Sequence, residues 1–249
     1  MKPNAEILSA IAVAAGKAIM TVYNGPSVEV WVKEDRSPLT LADQLSHEVI
    51  VSALKAHYPD VPILSEEGAS IPYSERKNWT EFWCVDPLDG TKEFIGRNGE
   101  FTVNIALIRK RMPVFGVIYV PCQDLLYYGD ADGCYKQVAG GEVVRIHTDQ
   151  TSSSWTAVGS RSHADQAEQD LLKKYPVDRQ VTIGSSLKFC LIAEGSAHLY
   201  NRKGPTMEWD TAAGQAIAEA AGAVMETDLH TPLCYNKESL TNGSFICHV

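Results

Sequence analysis

Five short apolar runs, at residues 101–108, 114–120, 125–129, 134–138 and 143–146, follow one another closely, with Gly133 and Gly140-Gly141 at two of the breaks. Runs of this length with glycine between them read as strands joined by tight turns, and their closeness in sequence leaves room for little but hairpins, so an antiparallel sheet is expected. Such a sheet must cover its apolar faces, and the preceding chain supplies the means. In residues 4–23, Ile7, Leu8, Ile11, Ala15, Ile19 and Val22 recur at helical spacing. Leu41, Leu45, Val49 and Leu54 do so again after Thr40, which has the chemistry of an N-cap and an acidic residue, Asp43, three positions on. Residues 28–33 alternate like a strand, and residues 61–65 and 82–85 are short apolar strand candidates.

Beyond residue 152 the texture changes to strand and helix in alternation. Strands are expected at 156–159, 181–183 and 197–200, and helices at 164–175, 186–194 and 211–221. The expectation is an α/β, layered α+β molecule with an N-terminal lobe over residues 1–149 and a C-terminal lobe over 150–249, one functional unit with a cleft between. With 45% hydrophobic and 21% charged residues, the 249-residue chain can bury a real core. Its 22 basic and 31 acidic residues leave a formal charge of -9, which excludes a nucleic-acid polymer binder, since such proteins need a basic footprint. No continuous apolar run approaches a membrane span, and the helical spacing at the N-terminus is unlike a signal peptide. Six cysteines without a paired CxxC or zinc spacing read as free thiols in a reducing cytoplasm. Peripheral attachment to a membrane stays open, although no basic amphipathic helix announces it.

The 82–85 run meets Asp86-Pro87-Leu88-Asp89-Gly90-Thr91, where Pro and Gly are expected to end the strand. Two carboxylates three residues apart on a stiff turn, with the Leu88 carbonyl between them, can converge on one point, and hard cations such as Mg²⁺ take oxygen ligands of this kind. A plain Asp-Pro/Asp-Gly turn has the same residues. Glu66 ends the 61–65 strand and Asp210 opens the helix after it. Taken singly, they read equally as a solvated glutamate and a helix-capping aspartate.

Together, Ser65-Glu66-Glu67, Val85-Asp86-Pro87-Leu88-Asp89-Gly90-Thr91 and Trp209-Asp210-Thr211-Ala212-Ala213-Gly214 resemble, in order and spacing, the three signature motifs of the inositol monophosphatase superfamily. The resemblance spans nearly the whole chain. It implies the αβαβα sandwich of the inositol monophosphatase and fructose-1,6-bisphosphatase type and a lithium-sensitive, Mg²⁺-dependent phosphomonoesterase. Lys92-Glu93-Phe94-Ile95, the Ser37–Asp43 and Ser160–Asp165 segments, and Gly184-Ser185-Ser186-Leu187-Lys188 are further similar to the CysQ-type 3'(2'),5'-bisphosphate nucleotidases of bacteria. Those remove the 3'-phosphate of adenosine 3',5'-bisphosphate, a by-product of sulfate activation, and several act on the 3'-phospho sulfate donor as well.

By that resemblance Glu66, Asp86, the Leu88 carbonyl, Asp89 and Asp210 would hold two or three Mg²⁺, with Glu67 behind Glu66. Thr91, paired with Asp43, would orient the attacking water, Asp43 serving equally as the helix-capping acid. Amides of Gly90 and Thr91 would cradle phosphate, and Ser185, Lys188 and Asp210 would touch substrate. Lys188 reads equally as an exposed helix lysine. Arg161, His163, Lys92, Arg202 and Lys203 are weaker substrate candidates, and Trp209 and Phe189 are aromatic ones. Two other readings stand beside this one: an inositol or sugar phosphatase of the same superfamily, and a non-catalytic metal or nucleotide sensor.

Overall fold

A computed structural model describes residues 2–26, 30–32, 38–68, 70–159 and 171–249. The chain begins with α1 (Ala5–Tyr23), whose first turn is closed by Asn4 accepting a hydrogen bond from the Ile7 amide. A small antiparallel pair follows, β1 (Val30–Val32) and β2 (Pro38–Thr40), which leads directly into α2 (Leu41–His57). Next come β3 (Ile63–Ser65), the short α3 (Tyr73–Arg76), β4 (Glu81–Asp89) and α4 (Thr91–Ile95). The five runs legible in the sequence are β5 (Thr102–Arg109), β6 (Met112–Val120), β7 (Leu125–Asp130), β8 (Gly133–Val138) and β9 (Val143–Ile146).

These strands form one seven-stranded sheet in simple chain order from β3 to β9. Every neighbouring pair is antiparallel except β3 and β4, which run parallel because α3 and its flanking loops carry the chain back to the start of the sheet. Strand periodicity then divides the side chains. Trp83, Val85, Val103, Ile105, Leu107, Phe115 and Val117 face a core built with Leu8, Ile11, Ala15 and Ile19 of α1 and Ile50 and Leu54 of α2. Phe82, Cys84, Ala106, Ile108, Ile118 and Val120 point the other way.

That second face is covered from the far half of the chain. There β10 (Trp155–Gly159), β11 (Val177–Thr182), α5 (Leu187–Ala193), β12 (Leu199–Arg202), β13 (Thr206–Met207), α6 (Glu208–Ala220), β14 (Val224–Thr227), β15 (Thr241–Asn242) and β16 (Phe245–His248) follow in order. A five-stranded mixed sheet, ordered β11-β10-β12-β16-β14, lies on the opposite side of α5 and α6 from the large sheet. Phe189 and Ile192 of α5 and Ala213 and Ile217 of α6 share one buried cluster with residues of both sheets. On the outer face of the smaller sheet, Ala157, Leu199 and Ile246 pack with Leu172. Helix, sheet, helix and sheet therefore alternate, as in the layered α/β expectation. Much of the expected 164–175 helix lies outside the described residues.

The contact between α6 and the large sheet is closer than side chains would allow. A methyl group on Gly116 of β6 would stand 2.4 Å from the Ala213 carbonyl oxygen, so glycine here lets helix and strand backbones meet.

One expectation needs correction. β4 does not stop before Pro87 but continues to Asp89, with a register shift against β5 between Asp86 and Asp89. A bulge takes Pro87 and Leu88 out of the ladder, so the missing proline N–H costs no ladder bond. By length and average composition alone α1 could pass for a membrane span. Its alanine, isoleucine and valine content, interrupted by few charges, raises the average without any one continuous run, and Leu8, Ile11, Ala12, Ala15 and Ile19 are packed into the core. All six cysteines are free thiols; Cys84, Cys134, Cys190 and Cys247 are buried.

Candidate active site

Three chain segments far apart in sequence meet where β3 and β4 end and α2 and α6 begin. β3 delivers Glu66, whose amide donates to the Val85 carbonyl at 3.1 Å and so continues the parallel pairing one residue past the strand. The bulge of β4 delivers Asp86, Leu88 and Asp89. α6 delivers Asp210, which is not the N-cap but the third helical residue; its Oδ2 accepts from the Met207 amide at 2.8 Å, the acidic half of a capping box.

Each β4 or α6 carboxylate is held by donors of the protein itself. The Leu88 amide donates to Asp86 Oδ1 at 3.0 Å, and Asn104 Nδ2 donates to Asp89 Oδ2 at 3.4 Å. Asn104 is itself fixed: Ser186 Oγ donates to its Oδ1 at 2.7 Å, and Thr102 Oγ1 lies 2.7 Å from Ser186 Oγ. No role for Asn104, Thr102 or Ser186 is legible before the fold is known. Their signal was present only as polar residues in an otherwise apolar strand and at a helix start.

The electrostatics follow from crowding like charges away from water. Burial drives Asp86 well above the usual carboxylate range, and the charges of Glu66, Asp89, Asp210 and Asp43 push it the same way. Burial also raises Asp89, to about 6, against the opposing pull of Lys188 and of hydrogen bonds from the Ser186 backbone and Asn104. Asp210 is pushed well up by burial and then by Asp89, with the Met207 amide opposing. Four carboxylates close enough to repel one another, all with hard oxygen donors, fit a divalent cation such as Mg²⁺, which relieves that repulsion. Among the described residues, no three His, Cys, Asp or Glu side chains are already drawn onto a single point. Each of the three aspartates instead accepts at least one hydrogen bond from a protein donor.

Beside the carboxylates stands a hydroxyl–carboxylate pair. Thr91 opens α4, and its Oγ1 is 3.2 Å from Asp43 Oδ1 and 3.4 Å from the Leu88 carbonyl. The second oxygen of Asp43 accepts from the Thr40 amide at 2.7 Å and from its hydroxyl at 2.6 Å, while Thr40 Oγ1 accepts from the Ala42 amide. Asp43 thus caps α2 and meets Thr91 at once, and both readings of it coexist.

The neighbouring cleft is lined by Asp89, Gly90, Glu93, Ser185, Lys188 and Asp210, with Lys92, Tyr200, Arg202 and Thr206 also on its walls. Gly90 adopts φ +92°, and a methyl group there would stand 3.1 Å from the Glu100 carbonyl and 3.3 Å from Ser185 Cβ, so only glycine lets the two loops close up. Lys188 is not an exposed helix lysine. It is 6% exposed, donates to the Ser185 carbonyl at 2.5 Å and the Ile183 carbonyl at 3.3 Å, and lies over the Tyr200 ring. Burial lowers its pKa, with Asp89 the chief counterweight. Its ammonium therefore holds the Ser185 loop and faces the acidic cluster.

The remaining candidates stand in different places. Phe189 is 2% exposed, packed in the core against Tyr200 and Phe245, and borders the floor of the cleft beside Lys188. Trp209 packs against that same core. Lys203 pairs with Asp228 at 2.9 Å, away from the cleft walls. Arg161 and His163 lie outside the described residues.

Comparison with known proteins gives a consistent result. Residues 1–246 match the model of the inositol monophosphatase family. The chain is 47% identical over 233 residues to the 3'(2'),5'-bisphosphate nucleotidase CysQ of Escherichia coli (strain K12), covering 93% of this chain and 94% of that one. It is 38% identical over 242 residues to the corresponding protein of Haemophilus influenzae, covering 95% and 89%. Among solved structures, CysQ from Bacteroides thetaiotaomicron, titled a bacterial member of the inositol monophosphatase family, superposes with a TM-score of 0.85 at 44% identity, covering 98% of this chain and 96% of that one. An inositol monophosphatase of Thermotoga maritima shares the fold, with a TM-score of 0.79 at 20% identity over 98% of this chain and 91% of that one.

Proposed function

The chain belongs to the inositol monophosphatase family, and from that membership and the site geometry we propose that it is a Mg²⁺-dependent 3'(2'),5'-bisphosphate nucleotidase of the CysQ type. Its substrate is adenosine 3',5'-bisphosphate, a small nucleotide: water attacks the 3'-phosphorus, the P–O3' bond breaks, and AMP and phosphate leave. Its 3'-phospho sulfate-donor analogue is a second substrate of the same shape. Six free cysteines suit a reducing cytoplasm as its compartment.

The observation that carries this reading is the Thr91–Asp43 contact at the edge of a buried carboxylate cluster. Glu66, Asp86, Asp89, Asp210 and the Leu88 carbonyl are the residues that would hold two or three Mg²⁺. When bound, the ions supply Lewis acidity and cancel the charge of carboxylates and phosphate. The chain's own residues do the rest. With its proton directed to Asp43, the Thr91 hydroxyl keeps lone pairs free to accept from the attacking water and so to orient it. Asp43, steadied by Thr40, takes up proton density that passes through Thr91. The Gly90 and Thr91 amides are placed to meet the scissile phosphate. Ser185 contacts substrate, and Lys188 holds the Ser185 loop while lending positive charge to that wall of the cleft.

Phosphate release by purified protein with Mg²⁺ tests the proposal. Adenosine 3',5'-bisphosphate should be hydrolysed far faster than inositol 1-phosphate, with inhibition by lithium. Preference for the inositol ester would instead support the sugar phosphatase reading, and no hydrolysis of either would support the sensor.

A further inference from the structure

One peptide unit in the β4 bulge is held at both ends from outside the sheet. Pro87 and Leu88 have no ladder partner on β5, because the register shift between Asp86 and Asp89 passes them over. The two polar groups of the peptide joining them must therefore find partners elsewhere. Its N–H, from Leu88, donates to Asp86 Oδ1 at 3.0 Å. Its C=O, from Pro87, accepts from Ser46 Oγ at 2.6 Å. Ser46 is fully buried on α2, one turn beyond Asp43, and its donor is 41 residues away in sequence from the carbonyl it serves.

We infer that Ser46 is a positioning residue for the metal-binding carboxylates, acting through the Pro87–Leu88 peptide plane. A peptide group is rigid, so an anchor on its carbonyl fixes the direction of its N–H. That N–H orients the Asp86 carboxylate, and the plane also fixes one side of Leu88, whose own carbonyl follows. Without the Ser46 hydroxyl, a buried carbonyl loses its partner, and the plane gains reason to rotate toward another donor. Rotation would release the Asp86 carboxylate and disturb Leu88, which carries the next carbonyl, and both residues are among those assigned to the metal. The neighbour His47 makes a parallel link on the other strand, its Nδ1 lying 2.9 Å from Oγ of Ser65, the residue before Glu66. One turn and a half of α2 thus touches the Thr91 hydroxyl, the β4 bulge and the end of β3.

The inference rests on the proposed metal site, so the first measurement is Mg²⁺ binding to wild-type protein without substrate, by titration calorimetry. No binding there would fail the functional reading itself. Given wild-type binding, Ser46→Ala should weaken substrate-free Mg²⁺ affinity by roughly tenfold or more, as loss of a partner behind a metal ligand does. It should raise the Mg²⁺ concentration for half-maximal activity in parallel, with kcat largely restored at saturating Mg²⁺. Ser46→Thr, which keeps the hydroxyl, should stay within about threefold of wild type on the same scale. Ser46→Cys, nearly the same size but a weak donor, gives the same reading if the alanine variant does not fold. A lowered melting temperature with unchanged Mg²⁺ affinity in Ser46→Ala, or in Ser46→Cys, would overturn the inference and leave Ser46 a purely structural residue.

Discussion

Thr91 and Asp43 are 48 residues apart and belong to different helices, yet their Oγ1 and Oδ1 atoms lie 3.2 Å from each other. Asp43 reaches Thr91 only because its other oxygen is tied to Thr40 at the start of α2, so helix capping and site assembly share one carboxylate. Removing either partner should therefore break a single relay. Thr91→Val and Asp43→Asn should each lower kcat by about 10²–10⁴-fold, and the double variant should be little worse than either single one. Steady-state kinetics on the three proteins checks this; losses that multiply would mean independent roles.

Asp86→Asn sets activity against stability. The amide oxygen still accepts from Leu88, while a buried charge repelled by Glu66, Asp89 and Asp210 is gone. Turnover should fall by about 100-fold or more, since changes even one step behind a metal ligand cost 10–100-fold. In metal-free buffer the variant should melt higher than wild type, by roughly 2–4 °C for each kcal/mol of repulsion relieved. Added Mg²⁺ should reverse the order by stabilising the wild type alone, and thermal melts in chelator and in excess Mg²⁺ would show it.

His47 should contribute to acid sensitivity. Partial burial lowers its pKa below the ordinary 6.5, with Glu48 opposing and Lys55 adding to the shift. Below its unfolded value the unfolded chain binds more protons than the folded one, so the stability tied to neutral His47 is present above that value and is lost as pH falls toward the lowered one. Urea midpoints taken at about pH 7.5 and about pH 5.5 should fall further for wild type than for His47→Gln. Equal slopes would assign the acid loss to other groups.

Gly116→Ala should be costly for a substitution that adds one methyl group. The new carbon would meet the Ala213 carbonyl oxygen at 2.4 Å and Cβ of Ala216 at 2.9 Å, with no flexible side chain to yield. Overpacking of this kind costs about 1–3 kcal/mol. Because α6 carries Asp210 three residues before Ala213, the displacement should also lower kcat. Urea unfolding and the initial rate report the two effects, and an unchanged midpoint would show that helix and sheet can separate freely.

The large sheet and its flanking helices were readable because period-2 and period-3.6 patterns are local, and β5 to β9 fall within a few residues of the runs that announced them. The acidic motifs were readable for the same reason, each being a short word at a strand or helix end. What escaped depends on contacts formed across the fold. Nothing near Lys188 in sequence predicts its burial, because its partners are carbonyls of its own loop seen only once that loop folds over α4. Ser46 reads as an ordinary polar helix position until Pro87 arrives beneath it. The extension of β4 past Pro87 was missed because a bulge is specified by its neighbours on β5 and α2 more than by the proline itself.

The packing of α6 across the first sheet orders events during synthesis. Until residues 208–220 have left the ribosome, one side of the large sheet, with Phe82, Ile108 and Ile118 on it, lacks the helix that lies across it. At about 5–20 residues per second, the stretch from the end of β9 to the end of α6 occupies several seconds of exposure. The nascent chain is in this window most open to chaperone capture and to aggregation, and the proposed metal site, which takes Asp210 from that same helix, cannot assemble before it closes.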